Sequence, residues 1–446
     1  MASKIALRAL PALVCLIFVT YLPRNTVARV LLQQATNSSL ALGGPASEGI
    51  QGYLLVIDGE TQGQVTVLDL ASGSVNDTLQ LADSYASGFT TSSGRYAIFL
   101  QYDGNLTSVY DSNYEIGFDQ GAWSIEQTAT PGLSDFALDV TSPSNFATLG
   151  PITAIFFDEE GRACIIDERQ LGNASYSPTF IKSDRQHGFV APLSEDFFAI
   201  GYVNQSAIND EEVALAQGVQ VYNTDGTVVY NRSRTACPEL HGTATNGKDA
   251  LFACNGSVLV ISYTAPDNFT HKSIPLPLNV RAYEVIGSGK FSTFFGVSYG
   301  APPDYLSIGI HFFDPAAGEA RLVVNATTEG EVINAVLDPA GDLLAVLTAG
   351  ENGTLITLNP RTGAEMRRVT GVLSGDLSTA FDTSDDVWPA VQVGLGRLFV
   401  MIPKKAAVEE YHQDTLEVLR TFNVGGAPSS AVVLGPIKYW DNFAQH

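Results

Sequence analysis

Basic charge is scarce in this chain: 24 Lys and Arg stand against 47 Asp and Glu in 446 residues, a formal net charge of −23. Nucleic-acid binders draw their affinity from phosphates neutralised by Lys and Arg, so that class is excluded. An acidic surface suits solubility, cation attraction or a basic partner. Cysteine is as sparse, four residues in all, and the absence of close-paired C-x-x-C spacing excludes a Cys/His zinc knuckle. Cys15 falls in the N-terminal apolar run. Cys237 ends one repeat unit and Cys254 lies in the next β run, where neighbouring strands can be bridged in an oxidising compartment. Cys164, inside the apolar segment ACIID, reads as a small buried hydrophobe. A G-x-S-x-G elbow and Gly-rich phosphate loops are missing too, so no enzyme is expected.

Long hydrophobic runs are limited to one, Ala9–Leu22, which follows Lys4 and Arg8 and precedes Thr26-Val27-Ala28. That is the layout of a cleaved secretory signal over 1–28. The run is short for a membrane span, so an uncleaved anchor is the lesser alternative and no membrane association is expected after cleavage. Asn-X-Ser/Thr sequons support the secretory route, and ten occur: Asn37, Asn76, Asn105, Asn173, Asn204, Asn231, Asn255, Asn268, Asn325 and Asn352. None has Pro at X, and most fall at strand ends or turns, as glycan acceptors require. The expected location is extracellular or in the endomembrane lumen.

What the chain has in abundance is one repeated phrase, an apolar strand ending in a polar turn. Examples are VTVLDLASG (Val65–Gly73), ACIIDERQLG (Ala163–Gly172), VQVYNTDG (Val219–Gly226) and LITLNPRTG (Leu355–Gly363). Upstream of each copy lies a second β-rich run, from YLLVIDG and YAIFLQYDG through TAIFFDEEG, FFAIGYV and LFACNG to STFFGVSYG, LLAVLTAG and RLFVMIP. Several short strands repeating every 40 to 55 residues or so, without helices, specify a β-propeller. The count gives an all-β ring of eight blades; seven would require one unit to be misread. The first unit lacks an inner strand, and a lone strand, SSAVVLG (Ser429–Gly435), follows the last. That strand is expected to pair into the first blade and close the ring, which removes exposed sheet edges. The reading is a flexible lead-in over 29–49, a propeller over 50–436 and a tail over 437–446. Two segments exceed the repeat, Glu115–Leu138 and Asn209–Gly218, and are expected as face loops.

Two inner strands open alike, His187-Gly188-Phe189-Val190 and His241-Gly242-Thr243-Ala244. Equivalent places in successive blades face the same part of the channel, so two imidazoles can converge, and the following Gly permits close backbone approach. One blade earlier the corresponding residue is Asn145. Converging imidazoles are the usual nitrogen set for zinc; the alternative is that each His caps an inner strand through a neighbouring carbonyl. His271, His311, His412 and His446 read as structural or solvated. The acidic clusters Asp158-Glu159-Glu160, Asp210-Glu211-Glu212 and Asp385-Asp386 lack EF-hand spacing and read as solvated turns rather than calcium sites.

The segments TAIFFDEEGRACIIDERQL, QHGFVAPL, GVQVYNTDGT and CPELHGTATNG…LFACNGSVLV, with DTLEVLRTFNVGGAPSS near the C-terminus, resemble periplasmic zinc metallochaperones of the AztD type. The likeness runs from about Gly52 to Gly435. It implies a propeller that binds zinc through inward-facing His and passes it to the binding protein of an ABC importer. By motif, His187 and His241 carry over as zinc ligands and Cys237 with Cys254 as a disulfide. Two departures stand out. The family's His-rich loop falls on Ile116–Gly121, which keeps Asp119 but has no His, and the preceding inner-strand His is Asn145 here. The expectation is therefore a secreted glycoprotein propeller whose channel holds zinc through His187 and His241, assisted by Asn145 or Asp119, with a metal-receiving or other extracellular protein partner. The alternative is an extracellular protein- or glycan-interaction propeller that has lost the metal.

Overall fold

The computed structural model describes residues 50–61, 63–82, 86–119, 122–204, 214–231, 236–300, 305–373 and 387–436. The signal, lead-in and tail assignments, Asn37, the 210–212 and 385–386 clusters and His446 lie outside these residues. Eight four-stranded antiparallel sheets form the blades of a β-propeller, and a two-stranded hairpin, Tyr114–Asp119 with Ala122–Gln127, is added. In ring order the blades cover 53–80, 87–139, 143–182, 190–230, 243–275, 280–325, 332–370 and 390–423, here blades one to eight. The α-helix among the described residues is a single turn, Ala326–Glu329.

The second strand of each blade explains the uninterrupted apolar runs. Tyr53–Asp58, Tyr96–Gln101, Ile152–Phe157 and Asp249–Cys254 are buried along their whole length. Such strands are covered by a blade on both faces, so they lose the in–out alternation of a half-buried strand. Outermost strands show the reverse; Val75–Gln80 exposes five of its six residues. Eight apolar clusters follow, one at each blade–blade interface. Between blades three and four, for example, Phe156 and Ile165 meet Phe198 and Ile200, and between blades seven and eight Leu347 and Leu355 meet Val391 and Leu398.

The C-terminal strand Pro428–Leu434 is the innermost strand of blade one, paired with Tyr53–Asp58 so that Leu55 faces Val432. The ring is thus closed by the strand expected from sequence. Across the same seam, the fully buried Glu410 carboxylate joins the Arg397 and Arg420 guanidiniums, and Arg420 also donates to Leu70 O at 2.5 Å. A carboxylate this deep is tolerable because two cations share it.

Strand order defines two faces. Connections from an outermost strand to the next blade, and from second to third strands, open on one face; the remaining connections open on the other. The hairpin 114–127 joins the third strand of blade two, Leu106–Asp111, to its outermost strand, Gly132–Asp139, and is therefore rooted on the second face. The overlong segment Glu115–Leu138 is thus most of this hairpin and outer strand rather than a loop.

Candidate functional site

Construction of the site begins with Asp158, which directly follows the second strand of blade three and is fully buried. Its backbone N–H donates to Ser142 O at 3.1 Å. Its Oδ1 accepts the Ser144 hydroxyl at 2.5 Å and the Gly188 N–H at 3.2 Å, and its Oδ2 holds His187 Nδ1 at 2.7 Å. One carboxylate therefore fixes the entry to blade four and the rotamer of its histidine. Donation from Nδ1 to a carboxylate leaves the lone pair of His187 on Nε2, the arrangement that carboxylates impose on metal-binding imidazoles. His187 is 4 % exposed, and Gly188 is required beside it because a Cβ there would lie 2.2 Å from the Phe156 ring.

His241 reaches the same place from blade five. Cys237 and Cys254 are disulfide-bonded, and the loop between Cys237 and His241 is pinned by Leu240 N–H to Ala216 O and Asn255 N–H to Pro238 O. The imidazole stacks on Tyr283 of blade six at 3.5 Å between ring centroids, with Nδ1 3.3 Å from Tyr283 O. Gly242, at φ +143°, lets the chain pass Tyr283 O, which a Cβ would approach to 2.5 Å. Burial pushes the His241 pKa down to about 3, with the neighbouring His187 and Arg281 adding to the effect. Arg281 is itself held by Glu239 at 3.1 Å and lies 5.9 Å from the Tyr283 ring centroid.

The His187 and His241 rings stand 5.4 Å apart, centroid to centroid. Two imidazoles bound through nitrogen to one tetrahedral zinc at ordinary Zn–N distances would place their centroids about 5 Å apart. The spacing fits a shared ion. Phe189 flanks both rings, at 5.4 Å from His187 and 5.9 Å from His241. Among the described residues no group of three or more His, Cys, Asp or Glu side chains is arranged to hold a metal. Among the described residues the pair therefore offers two protein nitrogens to an ion, and further positions on zinc would need other donors, water or an external ligand.

The other expected site residues are placed differently. Asn145 donates its amide N–H to Gly188 O at 2.9 Å and lies 3.2 Å from Ser144 Oγ, so it braces the backbone next to His187. Nor are Asn145, His187 and His241 equivalent in register. The fourth residues of the three second strands, Ile155, Ile200 and Phe252, pair with Phe146, Val190 and Thr243. Asn145, His187 and His241 precede those partners by one, three and two residues, and a bulge beside Asn145 adds to the offset. Asp119 ends the first strand of the hairpin, which is rooted on the face opposite the loops that carry His187 and His241. The remaining described histidines have local partners: His271 Nδ1 with Tyr230 OH at 2.7 Å, buried His311 with Ser298 Oγ at 2.9 Å, and His412 accepting the Asp414 N–H. Cys164 is a buried free thiol whose pKa burial pushes up.

Sequence reasoning missed Asp158, taking it with Glu159 and Glu160 as a solvated turn. Only the two glutamates behave so, paired with Arg185 and Arg162. A signal was available. Asp58 ends the second strand of blade one in the same way, and its Oδ1 accepts the N–H groups of Glu60, Thr61 and Ala427.

His241 also sets a pH dependence. Its unfolded imidazole titrates near 6.5 and the folded one near 3, so between those values the unfolded state binds more protons. Stability of the metal-free protein should fall as pH drops below 6.5, by up to about 1.4 kcal/mol per pH unit from this group. Urea unfolding at pH 6.5 and 4.5 should show a shallower loss for His241→Phe than for wild type; equal losses would contradict the assignment.

No family profile matches the chain. Among characterised proteins it is similar to the zinc chaperone AztD of Citrobacter koseri, with 22% identity over 401 residues, covering 87% of this chain and 88% of that protein. The structure of apo AztD from Citrobacter koseri superposes with a TM-score of 0.72 at 20% identity, over 87% of this chain and 99% of that one. A second crystal structure of Citrobacter koseri AztD gives 0.71 at 20% identity, over 86% and 98%. At this level of identity the solved structures show the fold: the chain is an AztD-like propeller, matched along nearly the whole length of that protein.

Proposed function

We propose that this chain is a secreted, N-glycosylated zinc-binding propeller, organised as a signal over 1–28, a lead-in over 29–49, the propeller over 50–436 and a short tail over 437–446. His187 and His241 hold the ion through Nε2, Asp158 orients His187, and Asn145 braces the backbone beside it. The carrying observation is the pair of neighbouring imidazoles, 5.4 Å apart between ring centroids, each with Nδ1 beside an oxygen acceptor. The similarity to a zinc chaperone supports the choice of ion. Secretion and glycosylation are supported by the N-terminal apolar run and the exposure of all nine described sequon asparagines. The role we propose is binding rather than catalysis, in line with the similarity to a zinc chaperone; bound zinc would supply a Lewis-acidic centre.

With two protein ligands, affinity should be weaker than at a closed three- or four-ligand site, and release of the ion easier. Zinc titration of the purified protein by calorimetry, beside the His187→Ala/His241→Ala variant, tests this. Binding of about one ion at micromolar zinc, lost in the double variant, is expected. Absence of binding, or binding indifferent to both substitutions, would favour the second reading: an interaction propeller for protein or glycan, which the small donor set motivates.

A further inference from the structure

The described sequon asparagines are unevenly shared between the two faces. Asn105, Asn255 and Asn352 lie between second and third strands, Asn204 follows the second strand of blade four, and Asn231 and Asn325 end outermost strands. All six open on the face that carries His187 and His241. Asn76, Asn173 and Asn268 lie at or next to connections between third and outermost strands in blades one, three and five, at the rim of the other face. On that face blades six to eight carry none.

Several of the first group border the metal site itself. Asn255 donates its backbone N–H to Pro238 O, within the loop that carries His241. Asn105 Oδ1 accepts the Ser142 N–H at 3.1 Å, and Ser142 O in turn holds the Asp158 N–H. Asn204 follows the strand whose Gly201 O accepts Gln186 Nε2 at 2.5 Å, one residue before His187. N-linked glycans are bulky, hydrated and project outwards. A docked protein needs on the order of 800 Å² of continuous surface on each partner, whereas an ion needs only an opening.

We infer that glycans at Asn105, Asn204 and Asn255 form a steric screen over the mouth of the His187–His241 site. The screen admits ions and small complexes and holds off protein-sized donors and acceptors. This rests on the glycosylation and the site proposed above.

The test uses two single-cysteine reporters on the full chain from a eukaryotic secretory host, with glycopeptide mapping of the same samples. Arg185→Cys sits beside the mouth, and Arg361→Cys sits in an exposed turn of the opposite face in blade seven. With N-ethylmaleimide both should label at similar rates. With a maleimide–streptavidin conjugate, the Arg185→Cys protein should label on the order of tenfold more slowly, since approach of a large partner is limited by accessible orientations. Native removal of the glycans should erase that difference. Occupied sequons with no size-selective protection would overturn the screen and leave the glycosylation reading intact. Unoccupied sequons at these three positions would overturn the screen, and unoccupied sequons throughout the chain would overturn the glycosylation reading as well. Neither outcome depends on whether zinc binds.

Discussion

Asp158→Asn should weaken zinc binding by about 10–100-fold while leaving the propeller folded, because partners that orient a metal-bound imidazole typically contribute that much. The amide keeps the shape of the carboxylate but loses its charge and one acceptor. His187 Nδ1, Ser144 Oγ and the Gly188 N–H all converge on this one side chain. With two acceptor oxygens reduced to one, the imidazole is no longer held in a single tautomer and rotamer. Asp158→Ala goes further, leaving buried donors unsatisfied at about 1–3 kcal/mol each, so a lowered melting temperature accompanies the lost affinity. Calorimetric titration of both variants, with circular dichroism as the folding check, separates orientation from stability. Wild-type affinity in the folded Asp158→Asn protein would show that His187 does not depend on this carboxylate.

The second large effect concerns ring closure. Val432→Asp should abolish folding, whereas Val432→Ala should cost about 2 kcal/mol, the scale of an ordinary core truncation. Val432 is fully buried in the closing strand, opposite Leu55 and among Phe99, Tyr110 and Leu434 at the interface of blades one and two. A carboxylate placed there has no cation, and an unpaired buried charge costs several kcal/mol, most of the margin by which a typical domain is stable. The failure would also be global, since an opened ring exposes two blade edges at once. Soluble yield and thermal unfolding are the measurements. A Val432→Asp protein that melts like wild type would mean that the C-terminal strand does not close the ring.

Legibility of the fold followed burial. Second strands such as Ile152–Phe157 and Phe197–Tyr202 were easy to find because both faces are covered, so their sequences stay apolar throughout. Outermost strands such as Glu365–Thr370, exposed at nearly every position, carry no periodic signal. The closing strand was visible because an unpaired apolar segment at one end answers a missing inner strand at the other. Within the site, the repeated His-Gly pair brought His187 and His241 together correctly. Their register with Asn145 was not visible, because bulges and short inner strands shift the numbering by one or two residues without changing the motif. Asp158 was masked by composition: beside two glutamates it looks like a solvated turn, and the signal against that reading was its place at the end of a second strand, where Asp58 stands in blade one. The root of the hairpin that carries Asp119 was not visible for a topological reason, since spacing along the chain does not reveal on which face a hairpin is rooted.

The central claim is that one ion is shared by His187 and His241, and the zinc K-edge absorption spectrum of the loaded protein addresses it most directly. Two imidazole nitrogens at about 2.0–2.1 Å, completed by lighter oxygen donors, with the imidazole scattering absent from the His187→Ala/His241→Ala protein, is the predicted result. A spectrum without imidazole scattering, or one unchanged by the double substitution, would contradict it.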